Sequence, residues 1–463
     1  MSYKNKRKRR RIRYSRVIGA FSIVLLLTLS VGLLLARFII DKDEEPSSPA
    51  YVVSDSTSTP DDSKEEDMDK PQPTVEPVEP YIVSSASIGV TGDILMHGPV
   101  LKAALKGNGE YDFNNNYEYI KAYYEKYDFM VANLEVTLGG KDAGNYRGYP
   151  TFNSPDTVID ALKNAGVDML LTANNHTYDT GYNGMLRTQS VIKEKGLLHL
   201  GTREDTLTSP YIVQDINGVK VGMVCYTYET DKTEDRRKSL NGITVSADAG
   251  PLISSFNYDE LDVFYQEIES TLKAMETEGA KTNIVFIHWG NEYQLSPNDT
   301  QKAIAQKLCE LGVDVIVGGH PHVIQPFETL TSSAGHKTHC IYSIGNAVSN
   351  QNRNTLSDIR NSKYTEDGMI FGIKYNLWND GSVEISEISI LPTWVNKESK
   401  NTGLEYNIIP LDTTVGAWNC YDVGNESRTY ESYSRTMSLV GEGLNATRLT
   451  LGLDKVALEH TGK

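Results

Sequence analysis

A layered α/β fold is predicted for most of this chain by three observations. Short apolar runs recur that have strand length, among them Tyr127–Val131, Val167–Leu171, Asn283–Ile287 and Val313–Val317. Segments with helical apolar spacing lie between them, which is the alternation of a sheet covered by helices. Each run also empties into a polar loop, and open α/β sheets collect their ligands beyond the carboxyl ends of their strands.

Ser84–Leu95 opens the region with small and apolar residues and ends in Thr91-Gly92-Asp93; the run at Tyr127 ends in Asn133-Leu134-Glu135. Ser154-Pro155 reads as an N-cap and first-turn proline, with Val158, Ile159, Leu162 and Ala165 on one helix face and Gly166 as the stop. The strand that follows empties into Ala173-Asn174-Asn175-His176. Tyr211–Tyr228 reads as a hairpin turning at Asn217-Gly218. Next comes a helix with Leu261, Phe264, Ile268, Leu272 and Met275 on one face, ended by Gly279. A buried strand then delivers His288-Trp289-Gly290. Pro297 is expected to open a helix bearing Ile304, Leu308 and Leu311, and Gly312 to end it. Val313–Val317 leads through Gly318-Gly319 to His320-Pro321-His322. In an extended segment residues i and i+2 share a side, so both imidazoles are expected to face one point. Tyr342-Ser343-Ile344-Gly345-Asn346 closes a further run; Asn346 is open between facing the same rim and a structural turn, with the turn preferred. Beyond Val395, Tyr430, Tyr433, Met437 and Leu439 predict a terminal helix packed on the domain.

The N-terminal part is different material. Residues 1–16 carry nine Lys and Arg, from Lys4 to Arg16, and read as a basic cytoplasmic tail. Residues 17–40 are nearly all apolar or small, long enough to cross a bilayer as one helix. Positive charge before a span holds the N-terminus inside and sends the rest outside. Residues 41–80 are rich in Asp, Glu, Ser, Thr and Pro and read as a disordered tether. The expected organisation is tail 1–16, transmembrane helix 17–40, linker 41–80, catalytic-type domain 81–395 and a C-terminal extension 396–463. The protein is thus expected at the cell membrane, single-pass, with an external domain.

The formal charge is −16 despite the basic tail, so the external part is more acidic still. That argues against nucleic acid as a partner. A polyanionic substrate stays open, since bound metal ions supply positive charge that a formal count misses. Asp235-Arg236-Arg237-Lys238 reads as a solvated loop. Cys225, Cys309, Cys340 and Cys420 have no metal-knuckle or scaffold spacing and receive no chemistry.

Five strand ends carry a candidate ligand or catalytic residue: Asp93; Glu135; Asn175 with His176; His288; His320 with His322. Two carboxylates from neighbouring strands, three imidazoles and an amide oxygen suit two divalent ions such as Zn, Mn or Fe. Two ions about 3.5–4 Å apart form a clamp for in-line displacement. His176, next to Asn175, is placed to protonate a leaving group, and Asp179 to fix its tautomer. His97 is open between turning into this site and facing water. His199, His336, His339 and His460 are left out of it.

These motifs, with Tyr342–Asn346, resemble in order the signature of the CapA family of bacterial capsule synthesis, associated with poly-γ-glutamate. The resemblance runs from about Ile82 to Pro410. It implies a calcineurin-like metallophosphoesterase-type αββα sandwich. In it Asp93 and His322 would serve one metal, Glu135 would bridge, Asn175, His288 and His320 would serve the second, and His176 would be the proton donor. Leu95 stands where such enzymes carry the histidine of Asp-x-His, and Glu135 where they carry a bridging aspartate. The resemblance further implies work on an anionic cell-envelope polymer such as poly-γ-glutamate, beside membrane synthase or export subunits. Two readings follow: a metal-dependent hydrolase cleaving a phosphoester or amide, or a non-catalytic accessory of the synthesis complex.

Overall fold

The computed structural model describes residues 79–451, apart from 231–236, 402, 416–417, 422 and 425. The basic tail, the apolar span, almost all of the linker, Asp235-Arg236 and His460 lie outside the described residues. Among the described residues no helix is long and apolar enough to cross a membrane.

Two sheets carry the fold. The first contains β1 (Ile82–Ile94), β2 (Phe129–Leu134), β3 (Met169–Leu171) and β4 (Leu198–Leu200), mutually parallel in that order. The second is entered by the hairpin β5 (Tyr211–Ile216) and β6 (Val219–Tyr228). Its turn residues Asn217 and Gly218 both have positive φ, 52° and 87°, as a two-residue turn of this hand requires. A small ribbon, β7 (Ser239–Leu240) and β8 (Ile243–Thr244), stands apart, and β9 (Ser255–Phe256) pairs with β6. The second sheet continues with β10 (Thr282–His288), β11 (Val315–Gly319), β12 (Phe327–Thr331) and β13 (Lys337–Ile341), in the order β12-β13-β11-β10-β6-β5. The chain then returns to the first sheet through β14 (Asn346–Val348), β15 (Asp367–Trp378), β16 (Val383–Lys400) and β17 (Gly403–Pro410). That sheet is ordered β17-β16-β15-β1-β2-β3-β4, with β14 also on β1.

Residue parity sorts the strands into layers. Ile88, Val90, Val131, Met169 and Leu171 of one sheet share a core with Val221, Met223, Ile284, Phe286, Val315 and Val317 of the other. The intervening Met130, Ala132 and Leu170 face outward, under the helices Gly98–Ala104 and Thr157–Asn164. Val224, Tyr226, Val285, Ile287 and Ile316 do the same under Leu261–Thr277 and Asp299–Glu310. Successive strand side chains alternate faces, so these central strands are apolar on both sides, and the result is four layers, αββα.

Several local expectations need correction. Ser154 is not a cap: the helix spans Thr157–Asn164, and the Ser154 hydroxyl is buried without a partner. Pro297 does not open the next helix. Asn298 does, accepting from the Gln301 N–H while the Gln301 side chain accepts from the Asn298 N–H. Lys238 is not a solvated charge; it bonds Ser255 at 2.9 Å and lies 3.8 Å from the buried Glu229. The division at 395 is absent, because β16 runs from Val383 to Lys400 and β17 extends the same sheet. The terminal helix Glu426–Thr450 buries Ser432, Thr436, Val440, Leu444 and Thr447, whereas Tyr430 is exposed. Its buried side is mostly small, which lets it lie close on β16 and β12. A Cβ on Gly443 would meet the Phe327 carbonyl oxygen at 1.6 Å.

Candidate metal centre

Asp93 ends β1 because the backbone there passes against the Gly345 turn: the Asp93 N–H donates to the Gly345 carbonyl at 3.0 Å. Gly92 is required for that approach, since a Cβ on it would lie 1.9 Å from the same oxygen. Glu135 follows β2, with its N–H on the Ile94 carbonyl at 3.2 Å. Asn175 and His176 follow β3, His288 ends β10, and His320 and His322 follow β11. Parallel pairing of β10 with β11 and of β1 with β2 thus brings all these side chains to one end of the sandwich. All are almost completely buried.

The donors converge tightly. His288 Nε2 lies 2.9 Å from Asn175 Oδ1 and 3.5 Å from Glu135 Oε1. His322 Nε2 is 3.7 Å from that same Glu135 oxygen, and its Nδ1 is 3.2 Å from Asp93 Oδ2. Two sets have their ligand atoms within 4.8 Å of one another: Glu135, His320 and His322; and Asp93, Glu135 and His288. Glu135 belongs to both, as a bridging carboxylate would. The expected neighbours also lie together, His322 against Asp93 and His288 against Asn175. One local expectation is corrected by the backbone. The strand ends at Gly319, so the pair is not extended; His320 and His322 have φ of 96° and 56°. That turn aims His322 Nδ1 at Asp93 and leaves its Nε2 toward Glu135.

His176 sits beside this cluster. Its Nδ1 is 2.8 Å from Asp179 Oδ2, an oxygen that also accepts the Phe152 N–H at 2.6 Å. The Phe152 ring stands edge-on to the imidazole, centroids 4.7 Å apart. His97 does not reach the donors. Its Nδ1 accepts the Asn350 N–H at 3.3 Å, and its ring packs on Phe152.

Three amides outside the predicted set of site residues hold the site. Asn133 donates to Asp93 Oδ1 at 2.7 Å, and Asn174 donates to Asn133 Oδ1 and to the Leu134 carbonyl. Asn346, read as a turn former, is buried with its Oδ1 3.1 Å from His322 Nδ1. For Asn133 a signal existed: it precedes Glu135 by two residues, the spacing that shares a strand face.

Whether ions fit is answered by two buried atoms. Glu135 Oε1 and His320 Nδ1 have no hydrogen-bond partner, and such groups cost about 1–3 kcal/mol each when left unpaired. An oxygen and a nitrogen with free lone pairs, inside a mixed carboxylate–imidazole–amide set, suit a transition-metal cation. The residues present fit the group.

Residues 87–351 match the family model described as "Bacterial capsule synthesis protein PGA_cap". The chain belongs to this family. It is 27% identical over 283 residues to the capsule biosynthesis protein CapA of Bacillus anthracis, covering 60% of this chain and 63% of that one. It is 26% identical over 279 residues to the PGA biosynthesis protein CapA of Bacillus subtilis strain 168, covering 59% and 66%. The chain therefore spans about two thirds of the length of these relatives. Among solved structures, the NAD nucleotidase NadN of Haemophilus influenzae is 12% identical with a TM-score of 0.38, over 80% of this chain and 66% of that one.

Electrostatics in this PGA_cap chain set the two histidines of the turn apart: His320 is ready to ligate, and His322 has a proton to lose first. Burial, with the neighbouring His288, His322 and His176, holds His320 well below the usual imidazole range, so it is neutral and able to donate a lone pair. Burial alone would also lower His322, but the Glu135 and Asp93 carboxylates outweigh it and push it up to about 9. Asp93 lies below its ordinary range: burial opposes this, and the His322 hydrogen bond and charge prevail. Leu95, at the position of the missing histidine, is buried and apolar and contributes to the core beside Met96.

Proposed function

We propose that this PGA_cap protein is a membrane-anchored external enzyme with a two-metal hydrolase-type site, acting on poly-γ-glutamate or a related anionic envelope polymer. The observation that carries the site is Glu135 Oε1, buried, unpaired and faced by the Nε2 atoms of His288 and His322 at 3.5 and 3.7 Å. Asp93, Glu135, Asn175, His288, His320 and His322 would hold the ions. Bound there, they would polarise the scissile carbonyl or phosphoryl group and lower the pKa of an attacking water.

The chain's own residues supply the remainder. Asp179 accepts from His176 Nδ1–H, which leaves Nε2 to carry the proton that a departing amine or alkoxide needs. Asn133 and Asn346 orient Asp93 and His322. The capsule polymer is supported by family membership and by the printed names of the two relatives, and membrane attachment by the apolar run at 17–40. Leu95 favours a second reading, an accessory subunit of the synthesis complex in which the donors bind metal without turnover.

Metal content of the purified protein tests the site: two equivalents of Mn, Zn or Fe are expected, lost in a His320→Ala/His322→Ala double variant. No metal after reconstitution would remove the hydrolase mechanism. His176→Gln separates the two readings, since it should abolish polymer processing while leaving bound metal intact; unchanged processing would leave the accessory role.

A further inference from the structure

A cleft of about 280 Å³ opens beside the metal donors, with His176 and His322 in its wall. Tyr149, Phe152, Tyr293, Glu292 and the amides Asn350 and Gln351 also line it. Neither lysine nor arginine lines it; Glu292 is the charged side chain that lies outside the donor cluster. Lys397 donates to Asn350 Oδ1 at 2.7 Å without itself lining the cleft, so a chain of carboxylates entering it meets the Glu292 carboxylate in the wall.

The wall is fixed in place. Tyr293 is held at φ 63°, its N–H donating to the Pro321 carbonyl at 2.8 Å and its carbonyl accepting from Asn361 at 2.8 Å. Gln351 donates to the Tyr293 hydroxyl at 3.3 Å. A non-glycine residue at this φ is costly and persists where surrounding contacts impose it. Tyr149, Glu292 and Tyr293 share the lining; burial raises the Tyr293 hydroxyl's pKa, and the charge and hydrogen bond of Glu292 raise it further. Tyr149 offers an exposed ring, 72% accessible. A carboxylate in one cleft with two tyrosine rings is chemistry suited to an ammonium group, through charge and through the ring quadrupole. The volume is slightly below the roughly 300–1,000 Å³ of pockets that enclose a whole small ligand, so it suits the end of a chain.

We infer that this cleft captures an ammonium-bearing chain end, with Glu292 receiving the charge and Tyr149 and Tyr293 flanking it. On the proposed function, on which this step rests, that end is the free amino terminus of a γ-glutamyl polymer, the one cation such a chain carries. The enzyme would then engage its polymer from the amino end, and the bond presented to the metal donors would be near that terminus.

The test uses the full-length protein reconstituted with Mn, titrated with two short γ-glutamyl oligomers that differ only in a free or acetylated amino terminus. The free form is expected to bind at least tenfold more tightly, and Glu292→Gln should erase that difference with metal content and Tm unchanged. Equal binding of both oligomers overturns the inference. Benzylamine is the second probe. If neither oligomer binds but benzylamine does, and Glu292→Gln abolishes it, the ammonium site stands and the γ-glutamyl reading falls. Benzylamine binding that is absent, or indifferent to Glu292→Gln, overturns the ammonium site.

Discussion

Two neighbouring histidines with positive φ concentrate the cost and the use of this site in a few residues. Backbone of this kind costs about 1–3 kcal/mol per residue and survives where its surroundings over-determine it. Gly318 is part of that surrounding: a Cβ there would meet the Tyr342 carbonyl oxygen at 2.0 Å and the Trp289 indole nitrogen at 2.6 Å. Gly318→Ala is therefore expected to destabilise by about 1–3 kcal/mol or more and to lower metal occupancy, read by urea unfolding and metal analysis together. Asn133→Ala removes the donor to Asp93 Oδ1 but leaves the fold; metal affinity should drop about 10–100-fold, as when other orienting partners are deleted. A competition titration with a chromophoric chelator measures it. The candidate donors were legible because Asp, Glu and His at successive strand ends form a pattern. The amides were not legible, since Asn is so common in turns that Asn346 looked like one.

At the scale of elements, strand order of polarity was readable. Apolar runs without alternation indicate strands covered on both faces, and β6, β10 and β11 are of that kind. Helix starts were read less well, because proline marks a permitted position while the hydrogen-bonding cap, Asn298, sat one residue beyond it. The terminal helix was read in part: Tyr433, Met437 and Leu439 pack on apolar clusters, whereas Tyr430 is exposed. Its most buried stripe adds Ser, Thr, Val and Leu, and an ion pair that periodic apolar spacing does not reveal. Arg435 donates from Nε to Asp367 Oδ2 at 2.7 Å, its Nη2 lies 2.5 Å from Oδ1, and Ser432 donates to Oδ1 at 2.7 Å. All three residues are buried. Arg435→Ala leaves Asp367 charged and unpaired, which costs about 3–5 kcal/mol. A fall in unfolding free energy of that size is expected, and a Asp367→Leu/Arg435→Leu pair should recover much of it; equal losses in both variants would contradict the account.

Acid sensitivity belongs to the molecule as a whole. His339, in β13, is buried and held at about 4 chiefly by that burial, with help from the charges of Lys337 and His336. Its folded value lies below the unfolded value of about 6.5, so the unfolded chain binds the extra proton. Stability from this group is complete above pH 6.5 and drains as pH falls toward 4. The span of about 2.5 pH units corresponds to about 3 kcal/mol. His339→Gln should flatten the dependence between pH 6.5 and 4, measured by denaturant titration at several pH values. An unchanged slope would assign the acid loss to other groups.

The pairing of β1 has a temporal meaning as well. Its partner β15 begins more than 270 residues later, at Asp367, while the donors are spread from Asp93 to His322. Contacts of such sequence separation close late, because the loop entropy must be spent before they form. A nascent chain therefore has no finished donor cluster until nearly all of it has been made. An ion bound there would come from whichever compartment the complete chain folds in, and its identity would report that compartment's supply. A chain cut before Asp367 retains all six donors and should still bind no metal stoichiometrically, which equilibrium dialysis would show.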